Sequence, residues 1–305
     1  MVDLHTHSNI SDGDLSPAVL IKEAVRQGLY AVALTDHDTI NGLDSARDAA
    51  KLENFRFIPG IEININWSGR SARGAAGLGP GGEFHLLGLG INSPSPAFIA
   101  AIGELSRRRE ARNREILERM RELSIEATWE ELLALSGEPD RPRPADISSG
   151  HSLGRPHFAA LLVKRKIVRN LNQAFARYLG PGKPLYVPKE GLIFEEAAAL
   201  IRESGGIPVL AHPVSLYVAW GRLPDLVKTL KKMGLMGLEA WHPTARSGSC
   251  RRLEALAKSL GLYITEGSDF HGSARPDRRL GYSGKDRKID DAILEAIPEL
   301  YKPAN

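Results

Sequence analysis

The sequence predicts an α/β fold of repeated strand–helix units, and three features support this prediction. Apolar, strand-like runs alternate with helical stretches. The first predicted helix covers 17–28, with Ser16 as its N-cap and Pro17 as its first helical residue. Histidine and acidic residues cluster at or near the carboxyl ends of the runs. Units of this length favour a barrel or a wound parallel sheet, folds in which the chemistry gathers at those strand ends. The predicted strands cover 1–7, 30–35, 56–67 (with a break at Pro59 and Gly60), 83–91, 207–213, 236–243 and 262–272.

The alternation is interrupted between residues 96 and 190, where the pattern is helical. A proline-rich stretch divides this part at 137–150, and a glycine-rich stretch at 68–82, which we expect to be a mobile loop, precedes it. We therefore predict a barrel built from 1–95 and 191–305, with a helical insertion subdomain at 96–190.

The composition excludes several classes of protein. The chain has 305 residues, of which 42% are hydrophobic and 25% charged, and its formal charge of +3 is too small to indicate nucleic-acid binding by itself. The sequence predicts neither a membrane span nor a signal peptide, and the single cysteine, Cys250, excludes an internal disulfide. We expect a cytoplasmic enzyme, and no protein partner is evident.

The ligand chemistry starts with His5 and His7. Alternate residues of a strand share a face, so both imidazoles can point at one site, and Asp269 and His271 repeat the pattern near the other end of the chain. Asp38 and Thr39 are expected to cap a helix, but capping does not explain their neighbours Asp36 and His37. Since the clusters contain no cysteine, they indicate divalent ions held by nitrogen and oxygen donors. The other candidate ligands near strand ends are Glu62, His85 and His212.

Six motifs along residues 2–272 together resemble the PHP (polymerase and histidinol phosphatase) superfamily. They are DLHTHSNISDG, LTDHDT, PGIE, HLLG, LAHP and GSDFHG, and they occur in the family's order. The resemblance implies a distorted (β/α)7 barrel that holds up to three divalent ions.

The resemblance also implies which residues bind the ions. The first ion would be held by His5, His7, Glu62 and Asp269, and the second by Asp12, His37 and His271. Glu62 would bridge to a third ion, completed by His85 and His212. We expect two or three ions, with manganese favoured and zinc, iron or magnesium left open. Some relatives have a histidine in place of Asp12.

Two motifs of the insertion resemble a particular branch of this superfamily. GRPHFA (154–159) and YLGPGKPLYVPK (178–189) are similar to single-chain 3′,5′-nucleotide bisphosphate phosphatases and to exoribonucleases of the RNase AM type. The expected substrate is a nucleotide or a short RNA with a 5′ phosphate. Arg155, His157 and Lys183 are the predicted phosphate-binding residues, because a helix start with an arginine suits an anion.

For the reaction we expect hydrolysis of the 3′-phosphate by a hydroxide that bridges the ions. The candidates for protonating the leaving group are Asp36, His212 and His242. Glu239, on the strand before His242, is interpreted as an orienting or structural residue.

Three other functions remain open at this stage. The first is a 5′→3′ exoribonuclease with the same active site. The second is a catalytically silent metal-binding scaffold, which the complete ligand set disfavours. The third is an amidohydrolase-type enzyme acting on C–N bonds, which would commonly need a carbamylated lysine that the strand ends lack.

Overall fold

A mixed sheet lies at the centre of the fold in a computed structural model that describes residues 1–67, 82–135, 152–284 and 286–301. Seven of its strands follow one another around the sheet in the order β1-β2-β3-β4-β6-β7-β8, and β5 pairs with β3. The strands are β1 Val2–Asp3, β2 Ala31–Leu34, β3 Arg56–Asn66, β4 His85–Leu89, β5 Leu192–Ile193, β6 Ile207–Leu210, β7 Gly237–Trp241 and β8 Tyr263–Glu266.

The sheet curves into a nearly closed barrel. Beyond β1 and β8, Thr6 and Phe270 form a parallel bridge that joins the two ends of the strand path. Most neighbouring strands are parallel, but β4 runs antiparallel to both β3 and β6. The structure therefore agrees with the predicted barrel of seven strands, and the reversed β4 is a distortion of it.

The helices alternate with the strands in most of the chain. The first begins where predicted, because the Ser16 hydroxyl accepts a hydrogen bond from the Val19 amide and Pro17 follows as the first helical residue. The helices are α1 Pro17–Arg26, α2 Leu43–Leu52, α3 Pro96–Glu122, α4 Trp129–Ala134, α5 Arg155–Lys164, α6 Leu171–Ala174, α7 Phe194–Glu203, α8 Leu223–Lys232, α9 Ser247–Leu260, α10 Ala292–Glu295 and α11 Pro298–Tyr301. Shorter turns are a π-helical turn at Phe175–Leu179 and 3₁₀ turns at Pro213–Leu216 and Gly272–Ala274.

Helix α3 belongs to two hydrophobic clusters. Its first half places Phe98, Ile102 and Leu105 in the core between the sheet and its helices. Its second half places Ile116 and Met120 in a separate cluster, whose buried residues all lie between 116 and 187. A second core of this kind fits an insertion, although the proposed boundaries at 95/96 and 190/191 stay a prediction.

The structure corrects two of the predictions made from the sequence. The predicted break at Pro59 and Gly60 is wrong, since β3 runs through both residues, and a Cβ at Gly60 would lie 2.9 Å from the Gly88 carbonyl oxygen of β4. Asp38 and Thr39 do not cap a helix, because α2 begins at Leu43 behind Gly42. The predicted mobile loop at 68–82, except Gly82, and the proline-rich stretch at 137–150 lie outside the described residues.

Candidate metal centre

Glu62 lies at the centre of the histidine cluster, buried on β3. Its Oε2 atom lies 3.4 Å from His5 Nε2, 3.3 Å from His7 Nε2 and 2.9 Å from His37 Nδ1. Its Oε1 atom lies 2.9 Å from both His85 Nδ1 and His212 Nε2. One carboxylate thus faces two sets of imidazoles, one with each oxygen, which is the arrangement a bridging ligand requires.

Two groups of donor atoms lie on the Oε2 side of Glu62. In the first, His5 Nε2 and His7 Nε2 are 3.1 Å apart, and Asp269 Oδ1 lies 3.6 and 3.4 Å from them. In the second, Asp12 Oδ1 lies 3.2 Å from His271 Nε2 and 3.8 Å from His37 Nε2. Asp12 Oδ1 is buried and has no hydrogen-bond partner among the described residues, so a cation would satisfy it.

The third group lies on the Oε1 side of Glu62. His85 Nδ1 and His212 Nε2 are 3.3 Å apart, and each is within 2.9 Å of Glu62 Oε1. His85 stands at the start of β4, although every cluster was predicted to lie at or near the carboxyl end of a strand. It reaches the same rim of the barrel because β4 is antiparallel, which pairs His85 with Asn64 near the end of β3.

Supporting hydrogen bonds fix the orientation of the imidazoles. His5 Nδ1 lies 2.9 Å from Glu239 Oε1, and Glu239 Oε2 accepts a hydrogen bond of 2.6 Å from the His212 amide. His212 Nδ1 contacts the Ser215 hydroxyl at 2.6 Å, and His271 Nδ1 contacts the Asp269 carbonyl oxygen at 2.8 Å. Partners of this kind on the second ring nitrogen are typical of metal-binding histidines. The interpretation of Glu239 as an orienting residue agrees with these contacts.

The electrostatics of the cluster also fit bound cations. Burial alone would raise the pKa of Glu62, but His37, His85 and His5 outweigh it and hold the pKa of this carboxyl well below its usual range. Burial alone would lower the pKa of His7, but its contacts with Asp269 and Glu62 raise that pKa to about 10. Both pKa shifts arise because a positive charge beside a buried carboxylate stabilises its ionised form. Divalent ions can supply that charge.

Three residues of the centre have strained backbones. Asp38, His212 and Asp269 have φ angles of 52°, 27° and 54°, in the left-handed region that residues other than glycine rarely adopt. Such strain is often found at functional sites, where the surrounding structure maintains it.

The fold and the geometry can now be compared with known proteins. The model of the PHP domain family matches residues 3–179, which is more than half of the chain. This chain belongs to the PHP domain family. A 5′-3′ exoribonuclease of Haemophilus influenzae is 34% identical over 270 residues, covering 88% of this chain and 89% of that protein. A 3′,5′-nucleoside bisphosphate phosphatase of Chromobacterium violaceum is 28% identical over 282 residues, covering 92% of this chain and 91% of that protein.

Solved structures support the same family. A predicted metal-dependent phosphoesterase of Bifidobacterium adolescentis has a TM-score of 0.79 and 26% identity, covering 97% of this chain and 94% of that one. An amidohydrolase of Chromobacterium violaceum, solved with sulfate and no metal, has a TM-score of 0.77 and 27% identity, covering 97% of this chain and 96% of that one. The family, the barrel and the reaction class predicted from the sequence, a metal-dependent phosphoesterase, are confirmed.

The three candidate proton donors of this PHP protein have different surroundings. The Asp36 carboxylate accepts hydrogen bonds from the Ser8 amide, the Ser8 hydroxyl and the Ser11 hydroxyl at 2.8, 2.6 and 2.5 Å. This geometry favours a structural role for Asp36, which holds the loop that carries Asp12. Both ring nitrogens of His212 are engaged, by Glu62 and by Ser215.

His242 is the third candidate. Its Nδ1 accepts a hydrogen bond of 3.2 Å from the Thr244 amide, and its Nε2 lies 3.3 Å from Asp269 Oδ2. Nε2 is buried and has no hydrogen-bond partner in the described part of the chain. Of the three candidates, His242 is therefore the one with a ring nitrogen that faces the centre and has no hydrogen-bond partner among the described residues.

The predicted phosphate-binding residues are separated by the fold. Arg155 is the first residue of α5, and its guanidinium lies 3.5 Å from Glu83 Oε1. The His157 ring is buried, and its Nδ1 accepts a hydrogen bond of 3.1 Å from the Gly154 amide, so it caps α5. This contact uses Nδ1 of His157, and the role of His157 in binding substrate stays a prediction.

Lys183 is exposed and makes no hydrogen bond or ion pair with the described residues of the centre. The same sequence motif ends in Lys189, whose charge acts on Asp38 and His85. Two more cations near the centre, Arg109 and Arg112 of α3, were not recognised in the sequence. A signal was present, since both stand in line with the apolar positions Leu105 and Ile116 of that helix.

Among the described helices, none combines the length and the apolar composition that crossing a membrane requires.

Proposed function

We propose that this protein is a metal-dependent phosphatase that removes the 3′-phosphate from a 3′,5′-bisphosphorylated nucleotide. The observation that carries the proposal is Glu62, whose two oxygens face different sets of imidazoles within 3.4 Å. The similarity to a nucleoside bisphosphate phosphatase over 92% of the chain supports the choice of ester. We also propose that the protein is cytoplasmic, as expected from its sequence.

The residues present fit divalent ions. Their nitrogen and carboxylate donors suit manganese, zinc, iron or magnesium, and manganese is the ion to test first. We assign His5, His7, Glu62 and Asp269 to one ion, Asp12, His37 and His271 to a second, and Glu62, His85 and His212 to a third. When bound, such ions lower the pKa of water and neutralise charge on phosphate oxygens.

The other residues of the chain orient the reactants and move the proton. Glu239 fixes the ring of His5, and Asp36 fixes the loop of Asp12. Arg155 holds a phosphate, for which its planar guanidinium is suited. His242 protonates the departing 3′-oxygen of the ribose from Nε2, the ring nitrogen that lies 3.3 Å from Asp269 Oδ2.

A second candidate is favoured by the similarity to an exoribonuclease at 34% identity. A site that accepts a 3′-phosphate monoester also accepts a 3′-phosphodiester, so the same residues could trim RNA from its 5′ end. The alternative of C–N bond hydrolysis is less consistent with the centre, because the bridging position between the two sets of imidazoles is occupied by the Glu62 carboxylate and not by a lysine.

The test is phosphate release by the manganese-loaded protein, with EDTA as a control. We expect release from adenosine 3′,5′-bisphosphate far above that from 5′-AMP, and loss of activity in Asp269→Asn. Asp225→Asn, an exposed aspartate of α8, is the matched control that should stay active. Stepwise loss of 5′ nucleotides from a 5′-phosphorylated RNA would instead favour the exoribonuclease. Full metal content and activity in Asp269→Asn would contradict the assigned centre.

A further inference from the structure

A buried arginine, Arg278, lies beside the first group of metal ligands. It belongs to the segment that follows β8 and the 3₁₀ turn at Gly272–Ala274. Its Nη2 atom lies 3.9 Å from Oδ2 of Asp269, whose Oδ1 faces the ring nitrogens of His5 and His7 at 3.6 and 3.4 Å. Among the arginines and lysines that the structure describes, Arg278 is the one that forms an ion pair with a carboxylate assigned to an ion.

The guanidinium of Arg278 makes no hydrogen bond with the described residues. The residue is 6% exposed, and its buried Nε atom has no partner among them. The distance to Asp269 is too long for a hydrogen bond, and the nearer carboxylate, 3.5 Å from Nε, belongs to Asp277, whose side chain is 71% exposed. Water screens such an exposed partner, so Asp277 neutralises little of the charge. A buried cation in these surroundings favours the approach of an anion.

The Asp269 carboxylate does not supply that anion. Its Oδ1 belongs to the first group of donors, and its Oδ2 also lies 3.3 Å from His242 Nε2. Divalent ions neutralise this carboxylate when they are bound. Arg278 then keeps its positive charge beside the place where the ions and a phosphate would meet.

The segment that carries Arg278 is fixed to the barrel. The Arg278 amide donates a hydrogen bond of 2.9 Å to the Arg275 carbonyl oxygen, and the Gly281 amide donates one of 2.7 Å to the Asp3 carboxylate. Asp3 is buried on β1 and accepts another hydrogen bond, of 3.0 Å, from the Ser268 amide. The backbone around Arg278 is therefore ordered before a substrate arrives, which lowers the entropy that binding costs.

We propose that Arg278 is a catalytic residue that binds the reacting phosphate of the substrate at the first group of metal ligands. Its planar fork suits two phosphate oxygens and neutralises the charge on them as the ester bond breaks. This role rests on the proposed function and adds to it a residue of the barrel, outside the helical insertion.

The step in which Arg278 takes part is a hydrolysis. Phosphorus forms a bond to the oxygen of a water molecule, which loses a proton to solvent, and its bond to the ribose 3′-oxygen breaks. The electron pair of the broken bond stays on the 3′-oxygen, which takes its proton from His242. Arg278 donates hydrogen bonds to the phosphate oxygens throughout and exchanges no proton.

The experiment measures the binding of inorganic phosphate to the manganese-loaded protein by calorimetry, and kcat/KM for adenosine 3′,5′-bisphosphate. Arg278→Met should lose about 10- to 100-fold in both, the usual effect of a lost charge-assisted hydrogen bond. Arg278→Lys, which keeps the charge without the fork, should lose less. Arg279→Met is the matched control, because Arg279 is exposed and its guanidinium lies over the Tyr282 ring.

Equilibrium dialysis of Mn²⁺ separates a phosphate contact from a positioning role. Since Arg278→Met removes a cation beside Asp269, its Mn²⁺ affinity should equal or exceed that of wild type. A loss of Mn²⁺ affinity large enough to explain the lost activity would overturn the proposal, because Arg278 would then act through Asp269. Thermal unfolding identifies a variant that fails to fold, in which case Arg278→Lys carries the test.

The same measurements distinguish failure of this role from failure of the proposed function. If wild type releases no phosphate but binds inorganic phosphate, and Arg278→Met loses that binding, the proposed reaction fails and the role of Arg278 stands. If wild type hydrolyses the bisphosphate, and Arg278→Met binds phosphate and turns over as well as wild type, the role of Arg278 fails and the reaction stands.

Discussion

Replacing Glu239 by glutamine tests whether a carboxylate behind His5 sets the affinity of the metal centre. Glutamine keeps the shape of the side chain and removes its charge. The single side-chain oxygen of glutamine can still accept the hydrogen bond of 2.6 Å from the His212 amide. The ionic contact of 2.9 Å with His5 Nδ1 is then lost, and His5 has no other side-chain partner on that nitrogen among the described residues.

The expected loss of metal affinity follows from what the hydrogen-bond partners of metal-binding histidines usually contribute. A carboxylate that orients a metal-binding histidine typically contributes 10- to 100-fold to metal affinity, or about 1.4 to 2.8 kcal/mol. The affinity for Mn²⁺ is measured by equilibrium dialysis of wild type, Glu239→Gln and Glu254→Gln. The last is the control, because Glu254 is also a hydrogen-bonded carboxylate but contacts Trp241 Nε1 at 3.0 Å. Unchanged Mn²⁺ affinity in Glu239→Gln would refute this explanation of how His5 is positioned.

Three further predictions follow from the site. Asp36→Asn should lower the free energy of unfolding by about 1–3 kcal/mol, because a buried carboxylate loses part of its three hydrogen bonds; unchanged stability with abolished kcat would instead make Asp36 the proton donor. Gly267→Ala should weaken Mn²⁺ binding, because its Cβ would overlap the Cβ of His5 and lie 2.7 Å from Glu239 Oε1; Gly248→Ala, with open space around it, is the control. KM for the bisphosphate should rise with pH below the pH at which free lysine titrates, because burial and the nearby Arg109, Arg155 and Arg112 lower the pKa of Lys189, a residue of the cleft beside the centre, which loses its charge as the pH rises. Glu83 opposes that shift, and Lys189→Arg should flatten the KM profile between pH 7 and about 10.

The clustering of the candidate metal ligands could be predicted in part because their pattern is local. His5 and His7 alternate within three residues, so an extended segment alone brings them to one face. Asp269 and His271 have the same spacing, but Asp269 has a φ of 54°, so their placement also depends on a left-handed backbone. Glu62 and His212 were predicted from a different local feature, since each stands near the end of an apolar run. The sequence could not show that Glu62 faces two sets of imidazoles with different oxygens, since that depends on how β3, β4 and β6 meet.

His85 shows where the simple rule fails. The rule that chemistry lies at the carboxyl ends of strands assumes a parallel sheet. His85 begins β4, and it joins the centre because β4 reverses direction between β3 and β6. The motif HLLG pointed to His85, which the fold places 2.9 Å from Glu62 Oε1, but the direction of the strand is a property of the assembled barrel.

The phosphate-binding residues were harder to predict, because a lysine's surroundings are set by tertiary packing. The motif YLGPGKPLYVPK offers two lysines, and the glycine-rich turn around Lys183 suggested a phosphate loop. In the structure that turn is exposed, whereas Lys189 lies on the approach to β5 beside α3 and the third group of ligands. A loop composition typical of anion binding therefore did not decide which cation lies near the site.

Helix α3 contains a signal that periodicity does reveal. Much of its charged run at 107–122 is a solvated face, on which pairs such as Arg114–Glu110 and Arg119–Glu115 form. Arg109 and Arg112 differ, because they continue the stripe of Phe98, Ile102 and Leu105 toward Ile116. A stripe that is apolar at both ends and cationic in its middle passes from one core to the other beside the metal centre. Arg109 is paired there with the buried Asp38 carboxylate, so its removal would leave that carboxylate without its cation. Arg112 is buried without a carboxylate partner among the described residues, and an apolar side chain in its place would join the two cores without burying that charge. Arg112→Met should therefore raise the free energy of unfolding of the ligand-free protein, which denaturant unfolding measures.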